Sequence, residues 1–534
     1  MTETRRFSLI YPSSGSSECN SFMPNPEIIK QLGAGTLLWG RKTDFFAFLT
    51  DDCEVIEYRQ NVFSDMSNIP ELTVMIDKSV QVLKNIDELR RIKEKSYDNE
   101  KMIYSVKEIE IYINLIDLMA ETLRACKDKI QSEAMKNLYD YVLTDADSEE
   151  YKRLKENTAK LTISINNIKS VTIGCNLDST LSPYESGILS INTEYIRSGD
   201  LIDRLLSLDN KKDEFTTLAP LVASSKQFTA REKESVDMVF GAAIKKIYGS
   251  SLRQWEPIIK KYLSKKTEIL LSLLPELTFL STGVKILADI KKHKLPLCKP
   301  VVRKKEEKIC SLTGVYNPVV ALQLKEDDPA KKVVLNNFSF DENGMIYILT
   351  GPNRGGKSVL TCAIGIAQIF FQLGMSVPAK HAELSPVGCI YTHFASDAKS
   401  TLQKGRLGEE CDRMQNIFST LTEFDLVLLD ETLSSTDSYE GSFIAEEIVA
   451  GLSAFGCRAI YCTHMHELAA KADEINAKEK SISKVDTLVA GIEDGERSFV
   501  INRVKPDGKS YARDIAEKYG LSYQKIIAMK ENKT

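Results

Sequence analysis

One segment, Gly351-Pro352-Asn353-Arg354-Gly355-Gly356-Lys357-Ser358, restricts what this chain can fold into more than any other. It follows an apolar run, Met345 to Leu349, and opens onto a helical pattern from Val359 to Leu373. Strand, glycine-rich loop and helix in that order, with Gly351, Gly356, Lys357 and Ser358 in the fixed places, fit the phosphate-binding P-loop. The chemistry needs these residue types. Glycines let successive backbone N–H groups curl around phosphate oxygens, and a helix N-terminus adds partial positive charge. Lys357 is then placed to reach the β- and γ-phosphates of ATP, and Ser358 to ligate Mg²⁺. Gly351 through Val359 are the candidate cofactor-binding residues.

A second motif lies downstream at the place a P-loop requires. Leu426-Val427-Leu428-Leu429-Asp430-Glu431 is an apolar strand ending in two acids. In the Walker B form Asp430 holds Mg²⁺ and Glu431 polarises the attacking water; without a P-loop upstream, such acids read as solvated surface. One strand further on, Tyr461-Cys462-Thr463-His464 puts a histidine at a strand end, a candidate sensor of the γ-phosphate. Lys357, Glu431 and His464 form the candidate catalytic set, with Ser358 and Asp430 as candidate metal ligands.

Taken together these motifs resemble those of the MutS ATPases of DNA mismatch repair, which are themselves similar to the ABC-type ATPases. Gly-Pro-Asn-Arg-Gly-Gly-Lys-Ser is the P-loop form of that family. Thr436-Asp437-Ser438-Tyr439-Glu440-Gly441 looks like its T-S-T-Y-D-G stretch, and Thr463-His464-Met465-His466-Glu467-Leu468 like its T-H-x-x-E-L. Tyr316-Asn317-Pro318-Val319-Val320 and Val333-Val334-Leu335-Asn336-Asn337 resemble the segment that holds the adenine ring, which would set Val333 against the base.

The remainder of the chain is organised around this ATPase. Its 534 residues exceed one domain, and 43% hydrophobic with 27% charged residues is the balance of folded globular proteins. Residues 1–34 read as a short strand (Phe7 to Tyr11) and a polar loop. From about Leu49 the pattern is helical: Leu72, Met75, Ile76, Val80, Leu83 and Ile86 form one apolar stripe, continued from Ile109 to Leu118. Near Lys169 the period changes to short β-rich runs, Ser170–Leu177 and Gly187–Asn192. Helical patterning returns from Ala230 to Leu280, with Trp255, Ile258, Ile259, Tyr262 and Leu263 on one face. The resemblance turns this pattern into a multidomain α/β architecture: an α-helical core and first lever arm over 35–165, a clamp-like β-rich insertion over 166–225, returning lever and core helices over 226–300, an ABC-type ATPase domain over 301–505, and the start of a C-terminal helix-turn-helix over 506–534. It implies a homodimer that binds duplex or branched DNA, with repair partner proteins that the sequence does not name.

Three departures bear on substrate. The Phe-x-Glu wedge of the mismatch-sensing members is missing from the N-terminal region; the one occurrence, Phe340-Asp341-Glu342, falls in a turn before the P-loop strand. The Ser-Thr signature that a partner subunit presents to the γ-phosphate is replaced by Lys404-Gly405-Arg406-Leu407-Gly408-Glu409-Glu410. No Smr nuclease domain is expected beyond Thr534. Net charge is -5, from 70 basic and 75 acidic residues, so nucleic-acid contact must use local patches. Candidates are Lys169 and Arg197, each equally readable as solvated surface; the runs Lys291-Lys292-His293-Lys294 and Arg303-Lys304-Lys305-Glu306-Glu307-Lys308 read first as solvated linker surface, with phosphate contact the alternative. The 11 cysteines form no C-x-x-C pair, and the apolar stretch at the N-terminus is too short for a signal or span, so a cytoplasmic, non-membrane protein is expected. The reading is a MutS-like DNA-binding ATPase in mismatch repair or related DNA maintenance, acting on branched DNA rather than through a wedge. The alternative is an ABC-like ATPase scaffold acting on RNA, ribosomes or a protein partner.

Overall fold

A computed structural model describes residues 7–12, 26–38, 44–95, 98–166, 169–180, 183–198, 216–217, 266–324, 333–394, 406–433, 438–493, 496–505 and 525–526. The expected C-terminal helix-turn-helix, the helical face around Trp255, Lys404-Gly405 and Thr436-Asp437 lie outside these residues.

The first half is helical: α1 (Pro26–Gln31), α2 (Gly35–Leu38), α3 (Cys53–Asn68), α4 (Pro70–Lys95), α5 (Asp98–Cys126), α6 (Glu133–Ala146) and α7 (Glu149–Asn166). Strands β1 (Ser170–Leu177) and β2 (Pro183–Asn192) then pair as an antiparallel hairpin, and β3 (Arg197–Ser198) pairs with β4 (Thr216–Thr217). After α8 (Leu274–Lys292) the chain becomes mixed α/β. By contact the chain divides into a helical unit, mainly residues 69–130 and 135–278, and a sheet unit, mainly 6–68, 131–134 and 279–534.

In the helical unit α4 starts with Pro70 and Glu71 and ends with Lys93 and Lys95, the polarity that suits a helix dipole. All six residues of the apolar stripe on α4 are buried, as are Ile109, Ile113, Leu115 and Ile116 on α5. Two buried hydroxyls here are paired: that of Tyr112 donates to Asp145, which also pairs with Lys266, and that of Tyr151 donates to the Ile113 carbonyl at 3.0 Å.

The sheet unit departs from expectation at its start. Residues 7–12 form a bend rather than a strand, because the Ser8 hydroxyl accepts from the N–H groups of Ile10 and Tyr11 and closes a local turn. Side chains of α3 hold this bend: the Tyr58 hydroxyl donates to Ser8 O at 2.9 Å and Arg59 Nε to Ile10 O at 3.0 Å. The expected polar loop also contains helix α1. Around Phe279, on α8, the rings of Phe45, Phe48 and Phe63 gather within 4.6–5.7 Å, which ties α3 and α8 into the sheet unit.

The main sheet has six strands, β8 (Ile346–Thr350), β10 (Ile390–Phe394), β11 (Leu426–Asp430), β12 (Arg458–Cys462), β13 (Val485–Glu493) and β14 (Glu496–Asn502), in the order β10-β11-β12-β8-β13-β14. All neighbours are parallel except β13 and β14. Ile346, Ile348, Val427, Leu429, Ala459 and Tyr461 share one core with Val449 and Leu452 of the helix Ser438–Phe455. Strands buried throughout read as continuous apolar runs, which is how β8, β11 and β12 appear in the sequence. A second sheet, β5 (Val301–Val302), β9 (His381–Leu384), β6 (Cys310–Val315) and β7 (Asn336–Phe340), lies in the same unit. Phe340 ends β7 and is buried against Tyr347, while Asp341 and Gly344 close a turn, so Phe340-Asp341-Glu342 is structural. From β8 the chain crosses to the far edge at β10 and returns through β11 and β12, then passes to the other side at β13. The carboxyl end of β8 is therefore a topological switch point, where open α/β sheets bind ligands. No single helix among the described residues is long and apolar enough to cross a membrane.

Candidate functional site

The P-loop leaves β8 at this switch point. Gly351 has φ +131°, and a Cβ there would lie 2.7 Å from the Ala490 Cβ and 3.0 Å from its backbone N, so the turn admits only glycine. Gly355 N–H donates to Pro352 O at 3.0 Å, and Gly356, with φ +93°, precedes the helix Lys357–Gln372. No side chain caps that helix, so its first N–H groups are offered to an anion.

Lys357 is only 4% exposed, and its Nζ donates to the carbonyls of Gly351 at 3.0 Å and Pro352 at 3.2 Å, which holds the ammonium over the loop. Asp430, at the carboxyl end of β11, comes beside it. Burial raises the Asp430 pKa, a hydrogen bond from the Ser358 hydroxyl opposes this, Glu431 raises it further and Lys357 lowers it. Its Oδ1 is buried with no hydrogen-bond partner among the described residues. Glu431 follows with a left-handed backbone, φ 53°, fixed by its N–H donating to Cys462 O at 2.9 Å. For a residue with a Cβ this conformation costs about 1–3 kcal/mol, and such strain gathers at functional positions.

A cavity of about 580 Å³ opens on this group. Arg354 through Ser358 and Glu431 form its polar wall, while Val320, Leu324, Val333, Val359 and Phe499 contribute apolar lining. Gly351, Pro352 and Asn353 shape the turn but lie outside the lining. His464 is also outside it: Thr463 N–H donates to Leu349 O at 3.0 Å, which carries the chain past the end of β8, but the His464 side chain is exposed and does not line the cavity. Lys357, Ser358, Glu431, Val359 and Val333 line one cavity with Asp430 beside Ser358, and His464 stands apart. Phe499 was missed, and Asn336 was read only as part of the segment around Val333. The replaced signature is described from the start of the helix Arg406–Thr420, and no described side chain of that helix is in the cavity lining.

Among the patch candidates, Lys169 lies 5.7 Å from the exposed Tyr195 ring, beside the β1/β2 hairpin. Arg303, Lys305 and Lys308 are engaged in ion pairs with Glu383, Asp51 and Glu423.

The family model described as MutS domain V matches residues 347–533, and that described as MutS2 N-terminal domain matches residues 51–311. The chain is similar to the DNA mismatch repair protein MutS of Prochlorococcus marinus (strain MIT 9312), 28% identical over 284 residues, covering 52% of this chain and 30% of that protein. Against its counterpart in strain MIT 9301 it is 30% identical over 234 residues, 43% of this chain and 24% of the relative. For the protein of the same description in Leptospira interrogans serogroup Icterohaemorrhagiae serovar Lai (strain 56601), identity is 28% over 285 residues, 52% of this chain and 33% of that protein. The matches span about a third or less of these relatives.

Proposed function

This chain belongs to the MutS family, and from that premise we propose that it is a dimeric ABC-type ATPase that couples Mg²⁺-dependent ATP binding and hydrolysis to clamping DNA. The observation that carries the reading is the convergence of Lys357, Ser358, Asp430 and Glu431 at one end of the sheet, where Lys357, Ser358 and Glu431 line a cavity with one polar and one apolar wall. The loop from Gly351 to Val359 cradles the phosphates and Lys357 counters their charge. Hard oxygen donors suit Mg²⁺, and the Ser358 hydroxyl with the unpartnered Asp430 Oδ1 fits that requirement. When bound, the ion would neutralise charge developing on the phosphates. Glu431 accepts a proton from the attacking water. The exposed His464 reads the γ-phosphate only if that segment moves toward it.

In the same reading the helices α4–α7 serve as lever and the β1/β2 hairpin as clamp, with the domain bounds given above. Lys169 and Arg197 then contact phosphate backbone without reading sequence. A mismatch is distinguished only where a side chain enters the base stack or tests its deformability. Phe340 is buried in a sheet and is no such wedge. Junction DNA should therefore bind better than matched duplex, and a G·T mismatch should gain little over it. Competition titrations at several salt concentrations check this, since phosphate contacts give a salt slope. A tenfold preference for the mismatch with none for junctions would overturn the branched-DNA reading, and binding without a salt slope would favour a protein partner.

A further inference from the structure

The most exposed aromatic ring among the described residues belongs to Tyr195, on the link between β2 and β3, which is 67% exposed. That link is tied back to β1. Lys169 N–H donates to Asn192 O at 2.8 Å, and the Ser170 hydroxyl donates to Glu194 O at 2.7 Å. Asn192 Nδ2 in turn donates to the hydroxyl oxygens of Ser170 and Thr172, each at 3.1 Å, and its Oδ1 accepts from the Ser190 hydroxyl at 2.8 Å. Three hydroxyls and one amide thus fix the backbone as far as the residue before the ring, and Tyr195 is held out to solvent. Lys169 Nζ stands over the ring, 5.7 Å from its centroid, and is engaged in no ion pair among the described residues. A cation–π contact in open solvent is weak, so this pair does not by itself account for a turn built to present it.

We propose that Tyr195 and Lys169 form a binding site for an unpaired nucleotide of branched DNA, the base stacking on the ring and its phosphate meeting the ammonium. The proposal rests on the DNA-binding reading above and adds to backbone contact a group that tells unpaired from paired strands. Inside a duplex both faces of a base are covered by its neighbours, whereas in a single-stranded flap or at a branch point a face is open to an aromatic platform. The surroundings of the ring suit this ligand better than a protein surface. A nucleotide offers a π-face and an anion side by side, which one ring and one free ammonium match. The exposed Ser190 and Thr193 nearby are uncharged donors of the kind that meet phosphate and sugar. Stacking tolerates any base, so the site selects for strand state and not for sequence.

The test measures binding of the full chain by fluorescence anisotropy at fixed salt with three probes: a matched duplex, the same duplex carrying a single-stranded oligo-dT flap, and that flapped duplex with abasic sites throughout the flap. Tyr195→Ala is expected to weaken the flapped duplex by roughly tenfold, the scale of one base–aromatic stack, and to leave the matched duplex unchanged. Tyr195→Phe keeps the ring and should bind all three probes as the native chain does. Removing the flap bases should cost the native chain a similar factor and cost Tyr195→Ala nothing more, because both changes delete one contact. Lys169→Ala should weaken the flapped duplex with and without its bases alike. Unchanged flap affinity in Tyr195→Ala would overturn the proposal while leaving DNA binding intact. Equal loss on flapped and matched duplex would also overturn it, because the ring would then be shaping the hairpin or touching backbone. A native chain that binds none of the probes would overturn both the proposal and the DNA-binding reading.

Discussion

Lys357 does two things at once in this structure: it brings a buried positive charge to the loop and, through the carbonyls of Gly351 and Pro352, it braces the loop's shape. Lys357→Ala should therefore abolish ATP hydrolysis and weaken nucleotide binding together, a result that equilibrium binding and phosphate release would both register. Glu431 allows a cleaner separation. Glutamine keeps its length and its left-handed backbone while removing the proton acceptor, so Glu431→Gln should bind ATP normally and turn it over roughly a hundredfold more slowly, the size of a lost general base. Parallel loss of binding and turnover would instead make Glu431 a structural residue bridging β11 to β12 through Cys462.

At the scale of elements, the loop between β8 and its helix depends on the neighbouring strand. Gly351 passes so close to Ala490 of β13 that a methyl group has no room, and its φ is unfavourable for any L side chain. Gly351→Ala should destabilise the sheet unit by about 1–3 kcal/mol and reduce nucleotide affinity. Adding Ala490→Gly should recover part of that loss, since it removes the steric conflict and leaves the backbone strain. Denaturant titration of the single and double variants measures both; equal stability of Gly351→Ala and native protein would show that the turn tolerates a side chain. What the sequence discloses follows the same physics. β8, β11 and β12 are legible because strands buried on both faces leave unbroken apolar runs, and the stripe on α4 because one helical face packs. Phe499 is hidden because its left-handed backbone breaks the alternation by which a strand is read. The Ser8 turn, and the grouping of α3 and α8 with the sheet, arise from long-range side-chain contacts such as Arg59 with Ile10 and Phe63 with Phe279. His464 was legible as a strand-end residue, but its exposure depends on how far the chain runs beyond β8.

For the molecule as a whole, the cavity raises the question of what meets the γ-phosphate opposite the P-loop. Its described polar lining comes from the loop, the first turn of the following helix, Asn317, Asn336 and Glu431, with no described side chain from Leu407 to Thr420. The helix Arg406–Thr420 begins within Lys404 to Glu410, the stretch we read as replacing the signature which related ATPases present to a partner's nucleotide. If Arg406 and Gly408 serve that purpose here, they serve the cavity of a second copy, and each copy needs the other to enclose its phosphate. ATP then acts as a ligand with higher affinity for the dimer than for the single chain, and by linkage it must drive association. Light scattering of Glu431→Gln, which retains ATP by slowing turnover, should give twice the single-chain mass with ATP and Mg²⁺, and less without nucleotide. Arg406→Ala should shift that equilibrium toward single chains without changing nucleotide affinity in the unassociated state. A single-chain mass under all conditions, accompanied by full ATPase activity of the native protein, would mean that one copy closes its own site and that the altered signature has no partner to serve.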